Sequence, residues 1–522
     1  MGVFSSFGEN HLREPQEDAP LAERPQSARD RVFFAVYALA VALSISVWFV
    51  AVRAPLWLDE TGTYWGINAG FPGIWSRQFQ TLSSTEYAYL LWASTKLIGT
   101  SEIALRIPSI LAMLGAVYLL YRAARELFSR DCAILAALIF SINPIVAFAA
   151  IDVRPYAFAA LATNATILIL FRLRRNSSNW LAALFGLSAA CIVWFHFLFI
   201  VILPALVLCF FVLKVGDHKV VWKQFGVALA TFAVAFLPVV PLMMFLLRSS
   251  LTHVSEPAPT LLLLAWTLAP GWLLPCLCGT GFAAFLISAL ARRRDLENPY
   301  RGGPILLCAS LALIPVLILY GVSAATSVHI HATRYLLIAV PGISLCWAML
   351  VSALRPRALQ LLFCVALVII TAWLSYNSPR LRQHLYSYKY ALEAAEQSAS
   401  ADDATVLLCS DFPESNYVEM PLGSAKESKF FAPLSYYKLS VPVVPLPRDL
   451  NEEAIRVSSR FLKEAASKHE RFLAVAHQHS YKTLVWLTQS AVTNYSVREL
   501  GTFDDIKVLE FIPRALVVPR RD

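Results

Sequence analysis

Charged residues are scarce in this chain of 522 residues. Only 15% of the residues are charged and 57% are hydrophobic, whereas a soluble domain carries roughly 25% charged residues. The apolar excess lies between residues 32 and 376. The composition therefore excludes an ordinary soluble protein and predicts a polytopic α-helical membrane protein. The net charge of +9 then reflects loop charges that set the topology, and nucleic acid is not expected as a partner.

Cysteine pairs with the spacing of a disulfide framework or a zinc site are also lacking. Eight of the nine cysteines fall in or beside apolar runs, and only Cys409 lies in a polar region. We interpret them as small apolar packing residues. Residues 1–31 contain no cleavable signal pattern, and their mixed charge predicts a disordered cytoplasmic tail.

The apolar runs between residues 32 and 376 predict about eleven membrane helices. Most of them cover about 17 to 24 residues, enough to cross roughly 30 Å of hydrocarbon. The predicted helices are 32–52, 103–121, 132–150, 156–172, 180–195, 197–213, 224–247, 272–291, 304–322, 335–354 and 358–376.

Loop charges predict the direction of these helices. With the N-terminus inside, five short inner loops carry fifteen arginines and lysines, whereas Arg154, Arg248 and Arg334 are the single basic residues of three short outer loops. This asymmetry follows the positive-inside rule. Two long segments, 53–101 and 377–522, are then extracytoplasmic.

The two long outer segments differ in character. Aromatic residues such as Phe71, Trp75 and Trp92 in the loop 53–101 predict amphipathic helices at the membrane surface. The more polar segment 377–522 predicts a small α/β domain. Its strand-like runs are 405–408, 441–444, 472–475 and 507–511, and its helical stretches lie near 381–399 and 451–468.

Acidic, basic and imidazole side chains collect at the predicted outer face. Asp59 and Glu60 directly follow the first apolar run, and ionisable residues next to a bilayer are usually functional. The other members are Asp152, Arg154, His196, His253, Glu256, His329, His331, Arg334 and Tyr335.

Several of these residues also have a structural interpretation. Arg154 can form a salt bridge with Asp152, and His196 can be an interfacial packing residue. The alternation of His329 and His331 is weak evidence for a metal. His253 and Glu256 fit a solvated loop.

The outer set suits an anionic lipid substrate. Arginine binds phosphate through two parallel hydrogen bonds, and a nearby carboxylate can accept a proton from a hydroxyl group. Together they would activate an acceptor and stabilise a departing phosphate.

Four segments resemble membrane glycosyltransferases of the GT-C fold. The family concerned includes protein O-mannosyltransferases, lipid A aminoarabinose transferases and rhizobial galacturonosyltransferases. The resemblance covers roughly residues 33–350. Two departures are Ser83–Tyr87, where members commonly have Pro-Pro, and Asp152, where relatives often have Glu. The matching segments are Trp57–Glu60, Lys96–Ser109, Ser141–Pro144 with Asp152–Ala157, and Thr333–Leu337 before Pro341.

The resemblance implies an inverting transfer of a sugar from a polyprenyl phosphate to a hydroxyl group of a glycan, lipid or protein. The reaction would take place at the outer face of a bacterial inner membrane. Asp59 would be the general base, and Glu60 would position it or the acceptor. The donor phosphate would contact Arg154 and Arg334, with Tyr335 and Lys96 as further candidates, and the supporting residues would be Asp152, Tyr156 and His331.

No cofactor is expected, because two arginines beside the acids can neutralise a phosphate without an ion. The alternative is a divalent metal bound by oxygen and imidazole ligands. Its ligands would be Asp59, Glu60, Asp152 and His331.

Two other functions compete with glycosyl transfer. A lipid or ion transporter would place ionisable residues near the bilayer centre and is often built from internal repeats. The predicted helix interiors carry essentially no charge, and no repeat is found. A non-catalytic scaffold would not need the acids of the first outer loop.

Overall fold

The structure is a computed structural model. It describes residues 28–81, 84–212, 222–248, 258–268, 302–326, 329–352, 357–377, 387–400, 403–412, 429–477 and 480–514. The predicted helix 272–291, His253, Glu256 and most of the predicted tail lie outside the described residues.

The described part of the chain is mostly helical. Its α-helices are Ala28–Ser46 (α1), Leu58–Asn68 (α2), Gly70–Thr81 (α3), Thr85–Ile98 (α4), Glu102–Leu127 (α5), Arg130–Ile142 (α6), Pro144–Ile151 (α7), Tyr156–Asn176 (α8), Asn179–Phe195 (α9), Leu203–Val212 (α10), Trp222–Phe236 (α11), Val240–Arg248 (α12), Leu261–Leu268 (α13), Gly302–Ala325 (α14), Val340–Ser352 (α15), Arg357–Asn377 (α16), Tyr388–Ala399 (α17), Ala432–Tyr436 (α18), Glu452–Lys468 (α19) and Tyr481–Ala491 (α20). The strands are Thr405–Cys409 (β1), Val443–Pro445 (β2), Phe472–His477 (β3), Tyr495–Phe503 (β4) and Ile506–Pro513 (β5).

Six helices among the described residues are long and apolar enough to cross a membrane, and a bent pair raises this number to seven. Two shorter apolar helices, Asn179–Phe195 and Phe197–Val212, lie between them in sequence. These helices confirm a multi-pass membrane protein. The six long ones are Arg31–Ala51, Glu102–Leu127, Tyr156–Asn176, Trp222–Met244, Pro304–Ala325 and Thr333–Ser352.

The predicted membrane helix 132–150 corresponds to two helices, α6 and α7, between which the chain bends by 65°. Pro144 starts α7 and has no backbone N–H to continue the hydrogen bonding of α6. Asn143 instead caps α7, and its side-chain oxygen accepts a hydrogen bond from the N–H of Ile145 at 2.9 Å. The bend therefore has a local cause in the Asn143-Pro144 pair.

Two other predicted helices begin with a 3-10 segment. Phe197–Ile202 precedes α10, and Thr333–Ala339 precedes α15. His196 separates the first of these from α9 in an extended conformation, with φ −153°. Arg334 and His196 thus stand at irregular backbone, which regular helix patterns in the sequence do not predict.

The described residues between 387 and 514 form what we call the C-terminal unit, a five-stranded sheet with helices on both faces. The strand order is β2-β1-β3-β5-β4, in which β1 pairs in parallel with β2 and β3, and β5 is antiparallel to β3 and β4. Side chains alternate between the faces. Val406 and Leu408 pack with α17, whereas Leu407 and Cys409 pack with α19 and α20.

The C-terminal unit contacts the helices that follow the first membrane span. Helix α18 packs against α2, and Leu58 of α2 joins the core beside α17. The N–H of Leu56 donates to the Tyr437 hydroxyl at 2.6 Å, and the Tyr436 hydroxyl donates to the carbonyl of Thr100 at 3.0 Å. The position of α2 therefore depends on both parts of the protein.

Gly186 tests the packing of the membrane helices. A Cβ atom there would lie 2.1 Å from the carbonyl oxygen of Ala228 and 2.9 Å from the backbone nitrogen of Phe232 in α11. Because both atoms belong to backbone, we expect Gly186→Ala to destabilise the protein by about 1–3 kcal/mol. Thermal unfolding in detergent would measure this as a lower Tm.

Gly226→Ala is the matched control, since a Cβ atom at Gly226 would meet nothing within 4 Å. Its Tm should equal or slightly exceed that of the wild type, because alanine favours the helix. Equal Tm values for the Gly186 and Gly226 variants would contradict the close approach of α9 and α11.

Candidate active site

A fully buried ion pair between Glu60 and Arg106 lies at the base of the candidate site. Both side chains are 0% exposed. The guanidinium of Arg106 donates from Nη2 to Glu60 Oε2 at 2.7 Å and from Nε to Glu60 Oε1 at 3.3 Å. The backbone N–H groups of Trp57 and Val153 donate to the same carboxylate at 3.2 and 2.9 Å.

Arg106 also satisfies the backbone where the first span ends. Its Nη1 donates to the carbonyls of Val52 at 2.9 Å and Ala54 at 2.5 Å, and Nη2 donates to Pro55 at 3.3 Å. A buried charge persists only when it is paired and hydrogen-bonded in this way. Glu60 is thus a positioning residue that holds the start of α2 to α5.

The loop 152–155 runs along the N-terminus of α2. Asp152 Oδ1 accepts a hydrogen bond from the indole N–H of Trp57 at 3.0 Å. The next residue, Val153, contacts Glu60 as described above, and Arg154 Nη2 lies 3.9 Å from Asp59 Oδ2. Three successive residues of one loop therefore contact the Trp57–Glu60 motif. The ion pair of Arg154 is with Asp59, so the simple Asp152–Arg154 bridge does not describe its contacts.

Asp59 faces two arginines that come from distant parts of the chain. Arg334 Nη1 lies 3.9 Å from Asp59 Oδ2, the same distance as Arg154 Nη2. Burial by itself raises the pKa of Asp59, but the charges of Arg154, Arg334 and Lys429 outweigh burial, and the net pKa lies below the usual range. The helix N-terminus also favours the anion. Asp59 is therefore an ionised carboxylate, 26% exposed.

The two arginines retain donors that the described residues do not satisfy. Nε of Arg154 and Nε of Arg334 are buried and have no hydrogen-bond partner in the described part of the chain. Both side chains are partly exposed, at 24% and 32%. Guanidinium groups arranged in this way suit an anion with several acceptor oxygens, such as a phosphate.

Asp152 is a buried acid of a different kind from Asp59. It is 0% exposed, and its Oδ2 has no hydrogen-bond partner among the described residues. Burial, followed by the negative charge of Glu60, raises the pKa of Asp152 well above its usual range. Asp152 therefore contacts Trp57, and it forms no ion pair with the arginines in the described structure.

Aromatic rings pack against one another next to Arg334. The His196 imidazole stacks on Tyr156 at 5.1 Å and contacts Phe199 and Tyr335 at 4.6 and 5.3 Å between ring centroids. The guanidinium carbon of Arg334 lies 5.2 Å from the Tyr335 ring. Burial, reinforced by the two arginines, lowers the pKa of His196 to about 3. The neutral imidazole is therefore a packing residue, as its structural interpretation predicts.

Two predicted site residues lie apart from this cluster. Lys96 is exposed near the end of α4, where its Nζ lies 5.4 Å from the Trp92 ring. His331 contacts the Tyr320 ring edge at 5.9 Å and Ser323 through its backbone N–H. Neither residue forms an ion pair with Asp59 in the described structure. The assignments of Lys96 to the donor phosphate and of His331 as a supporting residue stay predictions, and the ring nitrogens of His331 are buried without a hydrogen-bond partner among the described residues.

No group of three or more His, Cys, Asp or Glu residues with metal-binding geometry occurs in the ranges that the structure describes. Glu60 is bound to Arg106, and Asp59 lies between two arginines. These positive charges oppose a divalent cation at the same carboxylates.

Sequence reasoning missed Arg106 and Lys429. Arg106 lies inside the Lys96–Ser109 stretch, where an arginine near the start of an apolar helix is a detectable signal for a buried ion pair. Lys429 lies in the C-terminal unit, far along the chain, and its charge lowers the pKa of Asp59. No local pattern in the sequence links Lys429 to Asp59.

A family model described as dolichyl-phosphate-mannose-protein mannosyltransferase matches residues 86–245. The matched segment contains Arg106, Asp152 and Arg154, but not Asp59 or Arg334. A comparison with curated proteins found no match.

The chain also resembles solved structures of ArnT from Cupriavidus metallidurans. The apo structure has a TM-score of 0.55 at 13% identity and covers 92% of this chain and 98% of that chain. The structure bound to undecaprenyl phosphate has a TM-score of 0.53 at 12% identity and covers 93% and 98%. The chain therefore has the GT-C fold of these membrane proteins.

The apo oligosaccharyltransferase from Archaeoglobus fulgidus is a more remote structural neighbour of this chain. It has a TM-score of 0.47 at 12% identity and covers 95% of this chain and 76% of that chain. The fold assignment rests on ArnT and on the family model, and it confirms the resemblance predicted from the sequence.

The buried Glu60–Arg106 pair should respond strongly to mutation. Glu60→Gln leaves a buried arginine without its counter-ion, and we expect a loss of about 3–5 kcal/mol in the free energy of unfolding. Combining it with Arg106→Met should cost less than the sum of the single changes, because the two residues are coupled. Chemical unfolding in detergent would measure all three variants.

The partly exposed ion pairs of Glu126 with Arg172 and Arg175, at 3.1 and 3.4 Å, are the control. Glu126→Gln should change stability by less than about 1 kcal/mol. Additive effects at positions 60 and 106, or a Glu60→Gln loss no larger than this control, would show that the buried pair does not anchor α2.

Proposed function

We propose that this enzyme transfers a sugar from a polyprenyl-phosphate donor to an acceptor hydroxyl group, with inversion at the anomeric carbon. The observation that carries the proposal is one ionised carboxylate, Asp59, facing Arg154 and Arg334, whose buried Nε donors have no protein partner in the described residues. This arrangement combines a base for a hydroxyl group with a receptor for a phosphate.

The two arginines would bind the donor phosphate. The neighbouring rings of Tyr335 and Tyr156 would hold the arginine side chains in position. Their unused donors match the acceptor oxygens of a phosphodiester. One of the two similar ArnT structures contains bound undecaprenyl phosphate, and the matching family is named for a dolichyl-phosphate sugar donor. Both likenesses support a polyprenyl phosphate as the donor class for this chain.

In the proposed step, the acceptor oxygen attacks the anomeric carbon and its proton passes to Asp59. The bond between the anomeric carbon and the phosphate oxygen breaks, and polyprenyl phosphate leaves with the electron pair. Arg154 and Arg334 stabilise the charge that develops on the leaving phosphate. Glu60 acts indirectly, because through Arg106 it fixes the first turn of α2.

The finer topology follows from loop charges. We place about eleven helices in a bacterial inner membrane, with the N-terminus cytoplasmic and the C-terminal unit extracytoplasmic. The acceptor is a glycan, lipid or protein on that outer side, and transfer proceeds without a metal ion. A lipid or ion transporter is not favoured, because Asp59, Arg154 and Arg334 gather at helix ends and not mid-span.

Replacing the proposed base tests the assignment. Asp59→Asn keeps the size of the side chain but cannot accept the hydroxyl proton. We expect turnover to fall roughly 10²- to 10⁴-fold, while binding of undecaprenyl phosphate persists. The measurement is transfer from a polyprenyl-phosphate sugar by the purified protein in detergent or nanodiscs.

Asp505→Asn is the matched control, because Asp505 lies in an exposed turn between β4 and β5. It should keep wild-type turnover. Wild-type turnover in Asp59→Asn would instead remove Asp59 from the mechanism.

The pH dependence of kcat/KM tests the electrostatics of the free enzyme. Burial raises the pKa of Asp59, but Arg154, Arg334 and Lys429 lower it further, so the acid limb of the wild type should lie below the ordinary aspartate value of about 3.9. Falling pH protonates the base and removes activity. Arg334→Met removes one lowering charge, so its acid limb should move to higher pH.

The position of this limb is the readout, since loss of donor binding also lowers kcat/KM at every pH. Arg122→Met is the control, because Arg122 contacts Tyr118 and not Asp59. An unshifted limb in Arg334→Met would mean that Asp59 does not control this ionisation.

A further inference from the structure

The C-terminal unit places a third cation beside Asp59. Lys429 begins the 3-10 segment Lys429–Phe431, which leads directly into α18. Helix α18 packs against α2, the helix that carries Asp59. Lys429 thus reaches the candidate site from a part of the chain that has its own sheet and cores.

The contacts of Gly62 locate the lysine on α2. A Cβ atom at Gly62 would lie 3.4 Å from Cε of Lys429 and 3.1 Å from Cζ of Phe412. Gly62 follows Asp59 by three residues, so the two positions share one face of the helix. The charged end of Lys429 therefore lies along the face of α2 that presents Asp59.

Phe412 forms a platform for this lysine. Nζ of Lys429 lies 4.7 Å from the centroid of the Phe412 ring, within the range of a cation–π contact. The ring is 3% exposed and packs with Trp65 and Ala432. The contact with this buried ring therefore helps to fix the position of the lysine side chain.

The platform is fixed by the ends of the parallel strands. Asp411, directly before Phe412, has φ +58°. Arg448 Nε and His477 Nδ1 lie 3.3 and 3.6 Å from its carboxylate, and the Ser480 hydroxyl donates to Oδ1 at 3.4 Å. Residues following β1, β2 and β3 thus hold the turn that presents Phe412.

We infer that Lys429 is a catalytic residue that contacts the donor phosphate together with Arg154 and Arg334, and that the C-terminal unit thereby completes the active site. The inference rests on the proposed glycosyl transfer. The charges of Lys429, Arg154 and Arg334 all act on Asp59.

The charge of the substrate explains a third cation. A polyprenyl-phosphate sugar is a phosphodiester with one negative charge. When the bond from the anomeric carbon to the phosphate oxygen breaks, the leaving phosphomonoester approaches two negative charges, since its second pKa is about 6. A cation that attracts the leaving phosphate more strongly than it attracts the bound donor lowers the barrier to transfer more than it strengthens donor binding. Lys429 should therefore affect kcat more than KM.

The first experiment compares transfer by Lys429→Met, Lys429→Arg and Lys468→Met. We expect kcat to fall roughly 10- to 100-fold in Lys429→Met, less than for a buried oxyanion donor because Lys429 is partly exposed. Lys429→Arg should keep most of the activity, because it keeps the charge. Lys468, 65% exposed and near Glu470, is the matched control and should behave as wild type.

The second experiment measures the affinity for undecaprenyl phosphate at pH 8 and pH 5. Lys429→Met should lose more affinity at pH 8, where the phosphate is a dianion, than at pH 5, where it is a monoanion. A purely structural lysine would give the same loss at both pH values. Lys429→Gln gives the same comparison should the methionine variant fail to purify folded.

The outcomes separate this inference from the proposed function. Two results would overturn the role of Lys429 without touching the proposed glycosyl transfer. One is a wild-type kcat in both Lys429→Met and Lys429→Gln, and the other is an equal loss of affinity at pH 8 and pH 5. Loss of activity in Asp59→Asn would still support glycosyl transfer in that case. A wild-type protein that neither transfers the sugar nor binds undecaprenyl phosphate would overturn both.

Discussion

The buried ion pair between Glu60 and Arg106 is the constraint on which the candidate site depends. Two opposite charges without solvent contact persist because backbone groups on both sides complete their hydrogen bonds. Those backbone groups belong to the end of the first span and to the loop after α7. The pair therefore joins three separate segments, and α2 begins at the point where they meet. The direction of Asp59 follows from that junction.

Three neighbouring acids, Glu60, Asp152 and Asp59, lie in different environments. Glu60 is held by Arg106, burial raises the pKa of Asp152, and the neighbouring cations lower the pKa of Asp59. Only Asp59 is both charged and partly open to solvent. A phosphate that binds Arg154 and Arg334 withdraws part of their positive charge from Asp59. We expect the bound donor to make this carboxylate a better proton acceptor than it is in the free enzyme.

Much of the framework is predictable from the sequence, because membrane helices and loop acids leave strong local signals. The strand runs near 405 and 472 and the Asp59-Glu60 pair belong to this class. The bend at Pro144 also has a local cause, but a hydropathy pattern averages over it. Lys96 and Lys429 show what could not be predicted from the sequence. Both are surface lysines in sequence, and only the packing of α18 on α2 decides which of them approaches the acid.

Gly62 has a consequence for how such enzymes diverge. A helix position without a side chain lets Phe412 and Lys429 approach the backbone of α2, so the surface between the membrane helices and the C-terminal unit is shaped from both sides. A C-terminal unit taken from another enzyme would need a turn and a side chain that fit this gap. Residue 62 and the turn after β1 therefore have to change together, and the two parts of the chain are not interchangeable modules.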